Sequence, residues 1–188
     1  MSIFDKLRSG AGAAVSNAAS SVMSKKETFT FTALPESLAQ MQALPQASLD
    51  TPYKTAALVL CALCVYGADK QIGAEMLNWL RGPRPLTPSD ISFLNDRFRD
   101  GQFYIPFSYF KGATPNNDYT PEQPFTVTIE SNPYSDANPG YMKLFLRSGG
   151  ADNPREIVLR QKGDGKWMLW DQFLMVGIRT PKSADPWA

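Results

Sequence analysis

The stretch REIVLRQKGDGKWMLWDQF, residues 155–173, contains two strand patterns joined by a tight turn. REIVLRQK (155–162) and KWMLWDQF (166–173) are rich in the branched and aromatic side chains that favour strands. Gly163-Asp164-Gly165 between them is typical of a compact hairpin turn. The stretch therefore predicts two neighbouring antiparallel strands, and the rest of the chain decides what covers them.

Further strand patterns lie on both sides of this hairpin. FTVTIE (125–130) alternates apolar and polar residues, and TFTFTAL (28–34) predicts a short strand far earlier in the chain. YMKLFLR (141–147) also alternates, with Met142, Leu144 and Leu146 on one face and Lys143, Phe145 and Arg147 on the other. The tail FLMVGIRTPKSADPWA (173–188) is a further candidate for an edge strand.

Helices are predicted between the first strand and the others. PESLAQMQAL (35–44) predicts a short one. Asp50 or Thr51 can cap a long one that carries Pro52 in its first turn and runs through the apolar stretch that begins at Thr55 to Gly67.

Two more helices follow, and their ends carry clear signals. Asp69 can cap one that ends at Gly82-Pro83, and Thr87-Pro88 with Asp90 is a strong start signal for the other. Apolar residues recur at helical spacing on one side of each: Ile72, Met76, Trp79 and Leu80, then Ile91, Leu94 and Phe98.

Helices followed by strands predict one α+β domain over residues 28–188. In this domain a helical N-terminal half packs on one face of a mostly antiparallel sheet of four or more strands, and the other face is partly wet. Residues 1–27 are expected to form a mobile or loosely docked segment. A weak amphipathic pattern in residues 1–26 leaves contact with a membrane surface open. Because the most apolar run, residues 55–68, is too short to span a bilayer easily, we expect a cytoplasmic protein.

The composition excludes several kinds of chemistry. The chain has 188 residues and no histidine, which rules out Ser-His-Asp and Cys-His catalysis within one chain and removes a common metal ligand. Cys61 and Cys64 lie in an apolar helix, where burial makes thiols inert, so we interpret them as core residues. We expect no cofactor and no metal. The net charge of +1 argues against a nucleic-acid partner.

Several irregular stretches resemble an uncharacterised bacterial family. They are SLDTPYKTAAL (48–58), MLNWLRGPRPL (76–86), SYFKGATPNNDYTPEQPF (108–125), RQKGDGKWMLWDQF (160–173) and the ending GIRTPKSADPWA (177–188). The resemblance covers roughly residues 28–188 and is to a family described only as a domain of unknown function, so it implies neither an activity nor site residues. The order of helices and strands is also similar, at fold level only, to cystatin-like and NTF2-like α+β rolls.

The loop GATPNNDYTPEQPF (112–125) lies where the helical half meets the sheet. Its prolines and asparagines suit turns, so we interpret it mainly as a structural joint, with a binding role left open. The polar and aromatic residues of the loop and its approach are Tyr109, Lys111, Asn116, Asn117, Asp118, Tyr119 and Glu122. The spacing of a calcium-binding loop is absent.

Basic residues form two further candidate sites. Arginines that could bind phosphate or carboxylate are Arg81, Arg84, Arg97 and Arg99. Arg81 also suits the last turn of a helix, where a cation is favoured by the dipole. The polar strand face carries Lys143, Phe145, Arg147, Arg160 and Lys162. Glu130 and Glu156 on neighbouring strands would offset part of that charge as cross-strand pairs.

The remaining candidates are pairs of carboxylates: Asp164 with Asp171, and Asp118 with Glu122. Glycosidase-type chemistry needs two carboxyl groups held apart in a cleft, whereas Asp164 is better explained as a turn residue. The sequence therefore favours a non-catalytic role.

We expect a binding or protein-interaction module with an unknown protein partner, and a homo-oligomer is left open. Its candidate site residues are Tyr109, Lys111, Asp118, Tyr119, Arg147 and Arg160. Exposed aromatic anchors are expected at Tyr119, Tyr134 and Trp187. The alternative is a small-molecule pocket between helices and sheet, in a ligand sensor or an enzyme that uses Asp, Tyr or Lys.

Overall fold

In residues 24–188, five strands form one antiparallel sheet in which the order in space is the order along the chain. They are β1 (Lys26–Phe31), β2 (Phe125–Glu130), β3 (Tyr141–Leu146), β4 (Arg155–Gln161) and β5 (Trp167–Gln172). The predicted strands are confirmed to within a few residues at each end. This computed structural model describes residues 24–188. The predictions of a loose segment over residues 1–27 and of membrane contact through residues 1–26 therefore lie largely outside the described residues, and Lys26 and Glu27 belong to β1.

The helices lie between β1 and β2 in the chain. They are α1 (Leu38–Gln42), α2 (Pro52–Ala68), α3 (Lys70–Arg81), α4 (Pro88–Arg97) and α5 (Tyr104–Phe107). The capping predictions are confirmed, because Thr51 caps α2, Asp69 caps α3, and Thr87 forms a capping box with Asp90 at the start of α4. No described helix is long and apolar enough to cross a bilayer.

The core lies between α2 and one face of the sheet. Helix α2 contacts β2, β3, β4 and β5, and the side chains that meet it are fully buried: Val127, Ile129, Leu144, Leu146, Ile157 and Leu159. Cys61 and Cys64 are free, buried core residues, and burial raises the pKa of both thiols. The opposite face of the sheet carries threonines and charged residues, as the alternation predicts.

A close helix–helix contact joins α3 to α2. At Gly73, a Cβ atom would lie 2.3 Å from the Cα atom of Tyr66. Because that neighbour is backbone, it cannot move aside as a side chain could, and only glycine permits the two helices to approach this closely.

The segment before β2 completes the sheet. Strands β2 and β3 pair only at Ile129↔Leu146 and Glu130↔Phe145. Beyond these pairs the backbone N–H of Lys111 donates to the Thr126 carbonyl, 2.8 Å away. The N–H of Gly149 donates to the Ser108 carbonyl, 2.9 Å away. The segment thus fills the gap between the start of β2 and the end of β3, which is the role of a structural joint.

The tail does not form the predicted edge strand. Its carbonyls accept hydrogen bonds from side chains instead: Leu174 from the Tyr109 hydroxyl, Val176 and Gly177 from the Arg155 guanidinium, and Arg179 from the Tyr119 hydroxyl. These four carbonyls are thereby satisfied without a neighbouring strand.

Candidate functional site

The two tyrosines of the predicted loop site are not surface residues. Tyr109 is 4% exposed and Tyr119 is 1% exposed, so the expectation of an exposed anchor at Tyr119 is wrong. The Tyr119 ring stacks on Tyr104, with 5.1 Å between ring centroids. Burial raises the pKa of Tyr119 to about 12 and raises that of Tyr109 further. Both hydroxyls donate to backbone carbonyls, so these side chains hold the loop against the domain.

The polar residues of the loop mostly organise the loop itself. The Asn117 amide donates to the carbonyls of Gly112 and Thr120 at 2.8 and 3.1 Å. Lys111 pairs with Glu122 at 2.9 Å. The Ser183 hydroxyl donates to Asp118 at 2.5 Å. These contacts give partners within the domain to four of the candidate residues: Lys111, Asn117, Asp118 and Glu122.

Tyr109, Lys111 and Arg147 come together in a shallow depression of about 440 Å³ beside β2. Asp118, Tyr119 and Arg160 do not belong to it. Arg147 lies 3.4 Å from Glu130. The predicted cross-strand pairs are therefore confirmed at Glu130 and also at Glu156, which lies 3.2 Å from Lys143. Both cations of the depression, Lys111 and Arg147, have local acidic partners.

A second basic cluster brings together residues from different sequence motifs. The guanidinium carbon of Arg84 lies 3.9 Å from the centroid of the Trp170 ring, and that of Arg160 lies 4.9 Å from it. Arg160 also lies 5.3 Å from the ring of Tyr141, which contacts Trp170 edge-on. Among residues 24–188, neither the Arg84 nor the Arg160 guanidinium forms an ion pair or a hydrogen bond.

Arg84 is presented by a rigid loop. It lies between Pro83 and Pro85, and proline fixes its own φ and restricts the residue before it. The Arg81 Nε–H donates to the Arg84 carbonyl at 2.8 Å, and the Leu86 N–H donates to the Asn78 side chain at 2.7 Å. The connection between α3 and α4 is therefore tied back to α3 at two points, Arg84 and Leu86.

Gly82 begins this loop with a φ of +59°, a conformation that side chains other than glycine's rarely adopt. A Cβ atom there would also lie 2.9 Å from the Met168 sulfur. The glycine thus allows α3 to end directly against β5.

Trp170 reaches the outer face of the sheet through a β-bulge. Leu159 pairs with Leu169 and Val158 with Asp171, so Trp170 is the extra residue on β5. A bulge changes the direction of a side chain, and this one places the indole beside Arg160. The two consecutive buried residues Met168 and Leu169 show the same break in alternation.

These residues line an open cavity of about 310 Å³, which we call the arginine cleft. Its lining residues are Arg81, Pro83, Arg84, Arg160, Gln161, Lys162, Gly163, Met168, Leu169 and Trp170. Lys162 is paired with Asp164 in the hairpin turn at 3.1 Å, and Arg81 is 3.4 Å from Asp90. The cleft therefore combines an aromatic wall with two guanidinium groups that have no ion-pair or hydrogen-bond partner among the described residues.

Asp90 supports the cleft from α4. Its carboxylate accepts hydrogen bonds from the Thr87 N–H and hydroxyl, both at 2.8 Å, and contacts Arg81. Partial burial acts to raise the pKa of Asp90. The hydrogen bonds from Thr87 and the charges of Arg81 and Arg84 outweigh burial and lower the pKa below its ordinary value. Asp90 therefore joins the start of α4 to Arg81.

We expect Asp90→Asn to reduce the free energy of unfolding by about 1 to 2 kcal/mol at neutral pH, since it weakens the cap and the pairing with Arg81. The folded-state pKa is depressed, so the contribution exists above the ordinary value of 3.8 and is lost as the pH falls through the folded pKa. Urea unfolding at pH 7 and below pH 3 checks this, because the two proteins should converge in acid. An equal difference at both pH values would contradict the role of the charge.

The carboxylates weighed as candidate catalytic pairs have other partners. Asp164 accepts a hydrogen bond from the Lys166 N–H, which makes it a turn residue as expected, and Asp171 accepts one from the Gln172 N–H. Asp118 is bonded to Ser183 and Glu122 to Lys111. In the part of the chain that the structure describes, no group of three or more Cys, Asp or Glu residues is placed to hold a metal ion.

A family model described as "Domain of unknown function (DUF6935)" matches residues 33–182. Comparisons with the curated proteins and with the solved structures gave no match.

Proposed function

We propose that this chain, which belongs to the DUF6935 family, is a non-catalytic protein-interaction module of the bacterial cytoplasm that binds an acidic segment of its partner in the arginine cleft. The observation that carries the proposal is the stacking of Arg84 and Arg160 on Trp170 with neither guanidinium paired to a described residue. The other five site residues expected from the sequence have structural partners: Tyr109, Lys111, Asp118, Tyr119 and Arg147.

The stacking favours recognition of a carboxylate or phosphate. An aromatic face holds a guanidinium by its plane and leaves its N–H groups directed outward at the edges. Those N–H groups bind carboxylates in two parallel hydrogen bonds, which are stronger than hydrogen bonds between neutral groups. Because the stack and the rigid loop already order the arginines, little side-chain entropy remains to be lost on binding.

The acidic residues around the cleft support binding rather than catalysis. Asp90 caps α4 and Asp164 shapes the β4–β5 turn, so each has a structural role. General acid or base catalysis needs a titratable group directed at the substrate, and the cleft presents arginines, which stay protonated.

The second candidate function is small-molecule binding. The observation that favours it is the apolar wall of the arginine cleft, which Met168 and Leu169 form beside the charged rim. Small-molecule sites usually enclose about 300 to 1,000 Å³ and bury most of the ligand. At about 310 Å³ and open to solvent, the cleft better fits a few side chains of a larger partner.

The proposal is tested by fluorescence anisotropy of a labelled hexaglutamate peptide titrated with the full chain at low ionic strength, where exposed charges are least screened. We expect saturable binding, and a loss of about tenfold or more in affinity for Arg84→Ala and for Arg160→Ala, since each removes charge-assisted hydrogen bonds. Arg147→Ala is the matched control, because it removes an arginine of the same sheet face that is already paired with Glu130. Equal losses in all three variants, or no binding at all, would contradict the proposal.

A further inference from the structure

An apolar crevice of about 260 Å³ lies directly beside the arginine cleft. Its aliphatic walls are Leu63, Leu77, Leu86, Leu94, Leu169 and Val176. It opens between α3, α4 and the end of β5. Arg81 and Leu169 line both cavities, so the two share a wall.

Two half-exposed aromatic side chains stand at the crevice. Phe93 on α4 is 39% exposed and Phe173 after β5 is 45% exposed, although both are large apolar residues. Their exposed surface continues the aliphatic walls outward. Apolar surface of this kind with a polar rim is typical of interaction sites, and here Arg81, Asp90 and Asp171 supply the polar groups.

The crevice is sized for a side chain. Its volume is below the range of about 300 to 1,000 Å³ usual for small-molecule sites. Burying one leucine or phenylalanine of a partner would cover the apolar walls and remove the exposed faces of the aromatic pair from water.

We propose that the crevice receives an apolar side chain of the same partner segment whose acidic residues bind Arg84 and Arg160. This inference rests on the proposed function and names the ligand class: a peptide in which a leucine or phenylalanine follows or precedes acidic residues at short spacing. The shared wall sets the spacing, since an extended peptide advances only about 3.3 Å per residue and neighbouring cavities are reached within a few residues. Charge complementarity at the arginines and apolar contact in the crevice would then act together.

The test uses labelled glutamate peptides in which one leucine is placed one to four residues from a run of three glutamates, each matched by a peptide with serine in its place. At one spacing, leucine should raise affinity for the full chain about tenfold over serine, as expected for burial of one such side chain. Hexaglutamate binding without any gain from leucine at any spacing would overturn this inference and leave the proposed function standing. Failure of all peptides to bind would remove both.

Variants of each cavity locate the effect. Phe93→Ser/Phe173→Ser should abolish the gain in affinity from leucine and leave hexaglutamate binding unchanged. Arg84→Ala should lower the affinity for the leucine peptide and for hexaglutamate alike. Val176→Phe, which fills the crevice, should also abolish the gain in affinity from leucine, and it replaces the serine variant if that variant is poorly folded. Trp187→Ser is the control, because Trp187 is 93% exposed and lines neither cavity. If Val176→Phe keeps the gain in affinity from leucine, the peptide assignment is overturned. It is also overturned if octanoate binds as tightly as the peptide and loses affinity in Val176→Phe.

Discussion

Replacement of both Tyr109 and Tyr119 with alanine is expected to unfold the domain. Each substitution removes a buried aromatic ring, which costs about 3 to 5 kcal/mol, and the sum approaches the total stability of about 5 to 15 kcal/mol typical of a domain. Each also leaves a carbonyl without its hydroxyl donor: the buried one of Leu174 or the partly buried one of Arg179. Circular dichroism during thermal unfolding measures the loss.

Two further variants separate packing from hydrogen bonding. Tyr109→Phe/Tyr119→Phe keeps both rings and should cost only about 1 to 3 kcal/mol for each lost donor. Tyr134→Ala is the surface control, because Tyr134 is 80% exposed and should change stability by about 0.5 kcal/mol or less. A folded double alanine variant that has merely lost partner binding would restore the loop as the binding site and contradict its role as a joint.

Charge reversal at the cleft, Arg84→Glu/Arg160→Glu, is expected to reverse the ligand preference of the protein. Hexaglutamate affinity should fall by about 100-fold or more, because two charge-assisted contacts are replaced by two repulsive ones. A hexalysine peptide, which the unchanged protein should not bind, should gain affinity. Paired anisotropy titrations with the two peptides measure both effects.

Folding of the reversed variant is not expected to change, since both arginines are surface residues. Lys143→Glu/Arg147→Glu is the matched control: it also reverses two cations of the sheet face, each already paired with a glutamate, and should leave hexaglutamate affinity within about twofold, as expected outside the binding site. A control that loses as much affinity as the cleft variant would show that only the net charge of the sheet face matters.

The regular elements could be predicted from the sequence because their signals are local. The side chains of Thr51, Asp69 and Thr87 accept hydrogen bonds from backbone N–H groups in the first turn of the helices that they cap. The sheet follows from alternation, and its face toward α2 is buried where the apolar residues repeat every second position. One local signal was incomplete. Ile91 fits the helical spacing that puts it on the apolar face with Leu94 and Phe98, but it is 39% exposed, because α4 packs at the edge of the core.

The candidate site could not be predicted, because it depends on contacts between distant residues. Arg84 and Arg160 each belonged to a recognised basic motif, but nothing local indicates that one indole ring joins them. Trp170 lies on a bulge, which breaks the two-residue period on which strand faces are assigned. The burial of Tyr119 was missed for a similar reason, since its hydroxyl partner, the Arg179 carbonyl, lies in the tail.

The most direct test of the central claim is an NMR titration of the full chain with hexaglutamate that follows the arginine side-chain Nε–H signals. We predict saturable shifts of the Arg84 and Arg160 signals, with Arg147 and Arg155 unchanged because Glu130 and the tail carbonyls already bind them. Shifts confined to Arg147, or no shift at any arginine, would contradict the assignment of the arginine cleft as the binding site.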